Sequence, residues 1–413
     1  MNAQAMQICL RFSEHAFAFN FSAFSFVMFS CWFPTGFSAT FSTLAFVFAL
    51  PIFFQRIRAV QLNRFELVGL CLFGWLFLSA FWSSAPILAS LGDLSEYRIY
   101  FMVPVLIAPL VLDQRTQRWA FVAAMLGALI ALITSYGLSF GWWKIDGAHL
   151  SLANRIYHGF IMASLLMACL LIARETTGMT RLLAATVALL VVYNVLNIET
   201  GRTGYLQVIL VCLTFAVLTF ARIQAALAIA AALILFGLSY LSFERFHDRV
   251  NQTAANIEKM VEGDDYHSSA GLRLELYRGA TTIGLEHPVT GLGVGDVTRT
   301  LQERFESGEI RILTDNVHSE FMNMLIVGGV PALLLFAGFV TAILHSGFSI
   351  RQKSRWLGDS LIGTGVILMT SALFNSTIKD YGEKHALIIM LSILGAKLLE
   401  CRKSGDHSRV YDS

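Results

Sequence analysis

Apolar runs long enough to cross a bilayer recur along nearly the whole chain, and one long polar stretch, residues 244–319, interrupts them. A helix needs about 20 mostly apolar residues to span the hydrocarbon layer. On that measure twelve segments read as spans: 16–33, 37–54, 65–81, 98–112, 119–138, 156–174, 182–199, 203–221, 223–243, 320–345, 356–376 and 385–400. The fourth contains Pro104 and Pro109, which neighbouring helices accommodate inside a membrane. Arg11 followed by the apolar run Ala16–Phe33 resembles a secretory signal, but the run is long enough to span and another follows at once. It therefore reads as a retained first helix.

The pattern predicts an all-α polytopic membrane protein of about 12 transmembrane helices with a helical cap, in one integrated domain. Membrane helices 1–9 occupy residues 1–243, the cap 244–319, and helices 10–12 with a tail 320–413. Within the cap, Leu272, Leu276, Ala280 and Ile283 form one stripe of a helix over Gly271–Glu286, which His287-Pro288 ends. Val297, Leu301 and Phe305 suggest a second short helix, and Asp315 or Asn316 is expected to cap the helix that re-enters the membrane.

Composition agrees with the bilayer as solvent: 56% hydrophobic residues, 14% charged, mean hydropathy +0.63. A net charge of +2, with basic residues scattered between apolar runs, gives no nucleic-acid footprint. Six cysteines lie in apolar runs or near the chain ends and none in the cap, which argues against disulfides and a thiolate metal site. One alternating set of connections holds fifteen Lys/Arg and the other short set six. The excess of positive charge in cytoplasmic loops then places both termini inside and the cap outside. Arg98, Arg202, Arg273, His318 and Lys379 all fall on the outer side.

Candidate chemistry concentrates there. Glu199-Thr200-Gly201-Arg202-Thr203-Gly204 puts an arginine at the bundle mouth, either gripping phosphate oxygens as a fork of donors or snorkelling to headgroups or pairing with Glu199. Arg273 and Arg278, on the main cap helix, are either a second cationic contribution or a solvated face. His318 is either a neutral base, its ordinary pKa near 6.5 lying close to working pH, or a helix-start histidine tied to loop backbone, and Glu320 is placed to orient it. Gly291-Leu292-Gly293-Val294-Gly295 follows a helix and a proline instead of closing a strand, so it reads as a tight turn or a close backbone approach. Gly263-Asp264-Asp265-Tyr266-His267 reads as a loop tip, and no metal site is expected.

With these residues in place the chain resembles the O-antigen ligase and polymerase superfamily of bacterial membrane glycosyltransferases, and most closely its ligases. Four stretches carry the resemblance: Leu78-Ser79-Ala80-Phe81-Trp82-Ser83 with Tyr97-Arg98, Thr200-Gly201-Arg202-Thr203-Gly204, the Arg273 helix running into His287-Pro288-Val289-Thr290-Gly291-Leu292-Gly293, and His318-Ser319-Glu320-Phe321 continuing to Gly328-Gly329-Val330-Pro331. One departure is Ser319, where the family commonly has Asn. The resemblance implies a GT-C-like enzyme of the inner membrane, its site facing the periplasm. It implies inverting glycosyl transfer without metal or other cofactor, from an undecaprenyl-diphosphate-linked glycan to a hydroxyl of lipid A-core. Related branches polymerise lipid-linked repeats or glycosylate proteins.

On this reading Arg202 and Arg273 neutralise the diphosphate, Arg98, Lys379, Glu320 and Arg278 support substrate, and His318 takes the proton of the acceptor hydroxyl. The rival from another class is a transporter or flippase of an anionic envelope intermediate. Against it, transporters tend to place sites near the midplane between repeated halves, and no repeat is visible here.

Overall fold

The computed structural model describes residues 35–58, 62–144, 154–198, 201–261, 269–379 and 381–410. Among the described residues there are fifteen α-helices and no strand. In chain order they are α1 (Thr35–Arg58), α2 (Arg64–Ser79), α3 (Ile87–Glu96), α4 (Ile99–Leu112), α5 (Gln114–Ser139), α6 (Arg155–Glu175), α7 (Gly178–Tyr193), α8 (Arg202–Thr219), α9 (Arg222–Ser242), α10 (Glu244–Val261), α11 (Ser269–Glu286), α12 (Val297–Glu306), α13 (Glu320–Ile350), α14 (Arg355–Phe374) and α15 (Tyr381–Val410). α7 runs on into a π turn, Asn194–Ile198.

Seven helices, namely α5, α6, α7 with its π turn, α8, α9, α13 and α14, are long and apolar enough to cross a membrane. α3 and α4, bent by 54° at their junction, make an eighth if the pair counts as one span. The protein is an all-α polytopic membrane protein. The expected spans 37–54, 65–81 and 385–400 are also helical, but α2 has only 16 residues and the apolar part of α1 narrows to Thr43–Ile57. The expected span 16–33, the Gly263–His267 tip, Glu199, Thr200, Cys9 and Cys31 lie outside the described residues.

α13 is the hub, packing on α14, α2 and α11, while α6 packs on α7 and α8, and α4 on α15. Small residues let the backbones approach. A Cβ on Gly159 of α6 would lie 3.0 Å from the Cα of Gly204 on α8. At the end of the bundle away from the cap, the fully buried Asp359 accepts Arg174 Nη1 at 2.5 Å and Arg351 Nε at 2.6 Å, joining α6, α13 and α14.

The cap lies on this hub. Leu276, Ala280 and Ile283 of α11 are buried and Leu272 is half-buried, as the stripe predicts. In α12 only Val297 and Leu301 are buried, and Phe305 remains 37% exposed. α13 starts at Ser319, with no side-chain cap bond, and not at Asp315 or Asn316. Asn316 is diverted: its Oδ1 accepts the backbone N–H of His318 at 3.0 Å, which turns the loop back before the helix begins.

The glycine-rich run 291–295 explains how α13 is broken inside the bundle. Gly328 and Gly329 leave helical geometry, freeing backbone groups that lipid cannot satisfy. The Leu292 and Gly293 amides donate to the carbonyls of Ile326 and Val327, both at 2.8 Å, and Val330 N donates to Pro288 O at 2.8 Å. Trp75 Nε1 donates to Gly328 O at 2.8 Å. Such an approach requires glycine: a Cβ on Gly293, at φ +87°, would sit 2.6 Å from Ser79 O.

Candidate functional site

Arg202 is the first residue of α8, with Gly201 as its N-cap and the π turn Asn194–Ile198 upstream. Arg273 sits on the cap helix α11 and Arg249 on α10, and the charges of both reach Arg202. The Arg202 guanidinium thus lies in the field of two others, borne on two helices of the cap region. Burial pushes the Arg273 guanidinium below its ordinary pKa, although an arginine stays charged at any physiological pH. Cations acting on one another favour an anion among them, and planar donor forks suit phosphate oxygens.

His318 lies beside this group and is, among the described residues, the one non-glycine with positive φ, at +52°. The conformation is over-determined by its neighbours. Besides the bond to Asn316, Tyr277 Oη donates to His318 O at 3.1 Å and reaches Leu373 O at 3.0 Å. Ser376 Oγ donates to Asn316 Oδ1, and Asn323 Nδ2 donates to Ser376 Oγ at 2.7 Å. Burial first and the Arg273 charge second push the His318 imidazole below its ordinary pKa, with Asp315 opposing. At neutral pH the ring is therefore uncharged and able to accept a proton.

Glu320 takes a different place from the one its spacing suggests. It is fully buried, its Oε2 accepts Ile378 N at 3.0 Å and its own amide donates to Asn375 O at 3.1 Å. It braces the turn after α14, and the charges felt by His318 are those of Arg273 and Asp315. Arg278 is exposed. Five residues beyond Arg273, it lies about 140° further round α11 at roughly 100° per residue.

Arg98 and Lys379 belong to a second cationic group. Lys379 Nζ donates to Asp315 O at 3.1 Å, Lys384 Nζ to Glu96 O at 2.8 Å, and Arg98 Nη2 stands 3.5 Å from His385 Nε2. The charges of Lys379, Lys384 and Arg98 all act on Glu96. Asp93, Glu96, Tyr97, Gly295, Asn323 and Lys379 line a small polar pocket here. Asp315, tied to Lys379 and felt by His318, connects the two groups.

Sequence reasoning missed Arg249, Tyr277 and the Asn375-Ser376-Thr377 turn, all three residues of which are fully buried. A run of polar residues between two apolar segments was the available signal for that turn. Arg249 and Tyr277 look like ordinary cap-helix residues until the fold is known. Among the described residues no group of three or more His, Cys, Asp and Glu side chains is placed to hold a metal ion.

The fold is that of an all-α polytopic membrane protein, with arginines and a histidine below its ordinary pKa at the capped end. Residues 185–337 match the family model described as O-antigen ligase, a match that supports the resemblance to the O-antigen ligase and polymerase superfamily of glycosyltransferase-like enzymes. The matched stretch contains Arg202, Arg249, Arg273 and His318, while Arg98 precedes it and Lys379 lies beyond it. Against individual curated proteins the chain has no match.

Proposed function

We propose that the protein is an O-antigen ligase that transfers a glycan from undecaprenyl diphosphate to a sugar hydroxyl of lipid A-core, at the periplasmic face of the bacterial inner membrane. The observation that carries this reading is that the charges of Arg249 and Arg273 act on Arg202, and that of Arg273 also on His318, at one end of a membrane bundle. Arg202 and Arg273 hold the diphosphate and stabilise the negative charge it gains as the anomeric C–O bond breaks. His318 accepts the acceptor hydroxyl proton as that oxygen attacks from the opposite side, inverting the anomeric centre. Arg98 and Lys379 steer anionic parts of the substrates towards the mouth.

An apolar cavity of about 140 Å³ between α5, α6, α14 and α15 suits a hydrocarbon chain, and Tyr157 at its cap-side end lies two residues from Arg155, whose carbonyl packs on Gly201. This supports a lipid-borne donor.

Loss of one preorganised donor of this kind costs about 10²–10³ in rate. The test is transfer in vitro from undecaprenyl-diphosphate-linked glycan to purified lipid A-core. Arg202→Ala and His318→Ala are each expected to lose at least about a hundredfold. Turnover near that of the wild type in both variants overturns the reading. A product elongated on the lipid carrier, with lipid A-core unmodified, assigns the chain to polymerisation instead.

A further inference from the structure

Beneath Arg202, inside the bundle, runs a line of polar side chains to which the proposed chemistry gives no part. His158 Nε2 stands 2.8 Å from Asn194 Oδ1, and Asn194 Nδ2 donates to Ser135 Oγ at 2.9 Å. All three residues are fully buried, on α6, the π turn and α5. Buried polar groups in an apolar medium hold their partners strongly because no water competes for them. The line is therefore a rigid tie between three helices, centred on Asn194, the first residue of the π turn.

That turn lies upstream of α8. All five of its residues are buried, and π turns of this kind recur at functional sites because they shift the register of the chain beyond them. α6 grips the segment at both ends. His158 holds Asn194 at the start of the turn. After it, the Arg155 carbonyl lies 3.4 Å from where a Cβ on Gly201 would stand, and Gly159 packs on Gly204. Arg202 stands between these two glycines. From the cap side Arg245 Nη1 donates to Asn197 O at 3.4 Å. Two successive turns of α6 thus fix the backbone on either side of Arg202.

We infer that His158 is a positioning residue for Arg202, acting through its hydrogen bond to Asn194 at the start of the π turn. The inference rests on the role proposed for Arg202. His158 touches no substrate in this scheme. It sets the angle at which α8 presents the guanidinium, and a displacement of about 1 Å there costs up to about a hundredfold in rate.

The experiment is a double-mutant cycle on the transfer reaction, with undecaprenyl-diphosphate-linked glycan as donor and lipid A-core as acceptor. His158→Leu is expected to lower kcat by tenfold or more with little change in the KM for acceptor. His158→Gln, whose amide can still reach Asn194 Oδ1, is expected to restore most of it. In an Arg202→Lys background, where the fork is already lost, His158→Leu is expected to cost less than twofold further. An equal loss in both backgrounds, or no loss in His158→Leu while Arg202→Ala is inactive, overturns the inference and leaves the proposed function standing. Activity retained in Arg202→Ala removes the role that His158 is inferred to serve and overturns the inference, and near-wild-type turnover in both Arg202→Ala and His318→Ala fails the proposed function itself. Should His158→Leu not fold, Ser135→Ala removes only the outermost bond. It is expected to lower kcat two- to threefold in the wild-type background and to be silent in Arg202→Lys, and equal losses in both again overturn the inference.

Discussion

Arg273, on the cap helix, adds the field of its guanidinium to burial, the larger cause, in keeping the imidazole of His318 uncharged, and Asp315 in the same loop pulls the other way. The folded pKa of His318 lies below the ordinary 6.5, so the folded protein binds that proton less readily than the unfolded chain. Its contribution to stability is fully present above about pH 6.5 and is lost as pH falls from there towards the folded value. Activity that needs the neutral ring tracks the folded pKa. The acid limb of the kcat/KM profile is expected below pH 6.5. Asp315→Asn, which removes the opposing charge, is expected to move that limb to still lower pH, and Arg273→Gln to move its residual activity upwards. A limb that stays put in both variants would show that another group titrates.

Tyr277 carries a second expectation. Its hydroxyl secures the carbonyl of His318, a residue in a backbone region that costs non-glycine residues of order 1–3 kcal/mol. Tyr277→Phe loses one hydrogen bond, about 1 kcal/mol of stability, yet releases the loop that aims the imidazole. Transfer is expected to fall by about tenfold or more, as small misplacements of a reacting group do, while the thermal midpoint in detergent moves by only a few degrees. Loss of folding in proportion to loss of activity would contradict this division.

Much of this was legible in the sequence because membranes impose a coarse rule: apolar runs become helices. The helix expected over Gly271–Glu286, observed as Ser269–Glu286, and its buried stripe came from periodicity, and the glycines at 291–295 from their need for close approach. The bend between α3 and α4 was not legible, since Ile87–Glu96 is too polar for a span and too short to count alone. Nor was the burial of Glu320, because its spacing from His318 says nothing of the turn at Asn375–Ile378 that claims its carboxylate. Arg202, Arg273 and His318 were readable one by one. Their convergence depends on how α6, α8, α11 and α13 pack.

Gly293 gives a prediction about the cap. Alanine there would carry its Cβ to 2.6 Å from Ser79 O in a backbone conformation that L residues avoid, while Gly293 N must keep its bond to Val327 O. Gly293→Ala is expected to destabilise the cap against α2 and the broken α13 by more than about 1 kcal/mol. Limited proteolysis of the 244–319 region in detergent reads it, and resistance equal to the wild type would refute it. Gly308, also at positive φ but with open space around it, is the control expected to show a smaller effect.

Asp359 separates fold from chemistry, because it lies at the end of the bundle away from the cap. Its carboxylate is fully buried and meets Arg174, itself only 10% exposed, and Arg351 at 32%, whereas Arg355 stands 3.9 Å away and is 48% exposed. Breaking a buried ion pair costs about 3–5 kcal/mol, since a charge is left behind without its partner, while an exposed pair contributes about 0–1 kcal/mol. Asp359→Asn is therefore expected to lower the thermal midpoint markedly, and Arg355→Gln hardly at all by comparison, in scans monitored by intrinsic fluorescence. Once corrected for the folded fraction, both variants are expected to transfer glycan at the wild-type rate, because neither residue reaches the cap end. A selective loss of kcat in folded Asp359→Asn would mean that the two ends of the bundle are coupled through α6 and α14, the helices that carry His158 and the Asn375 turn.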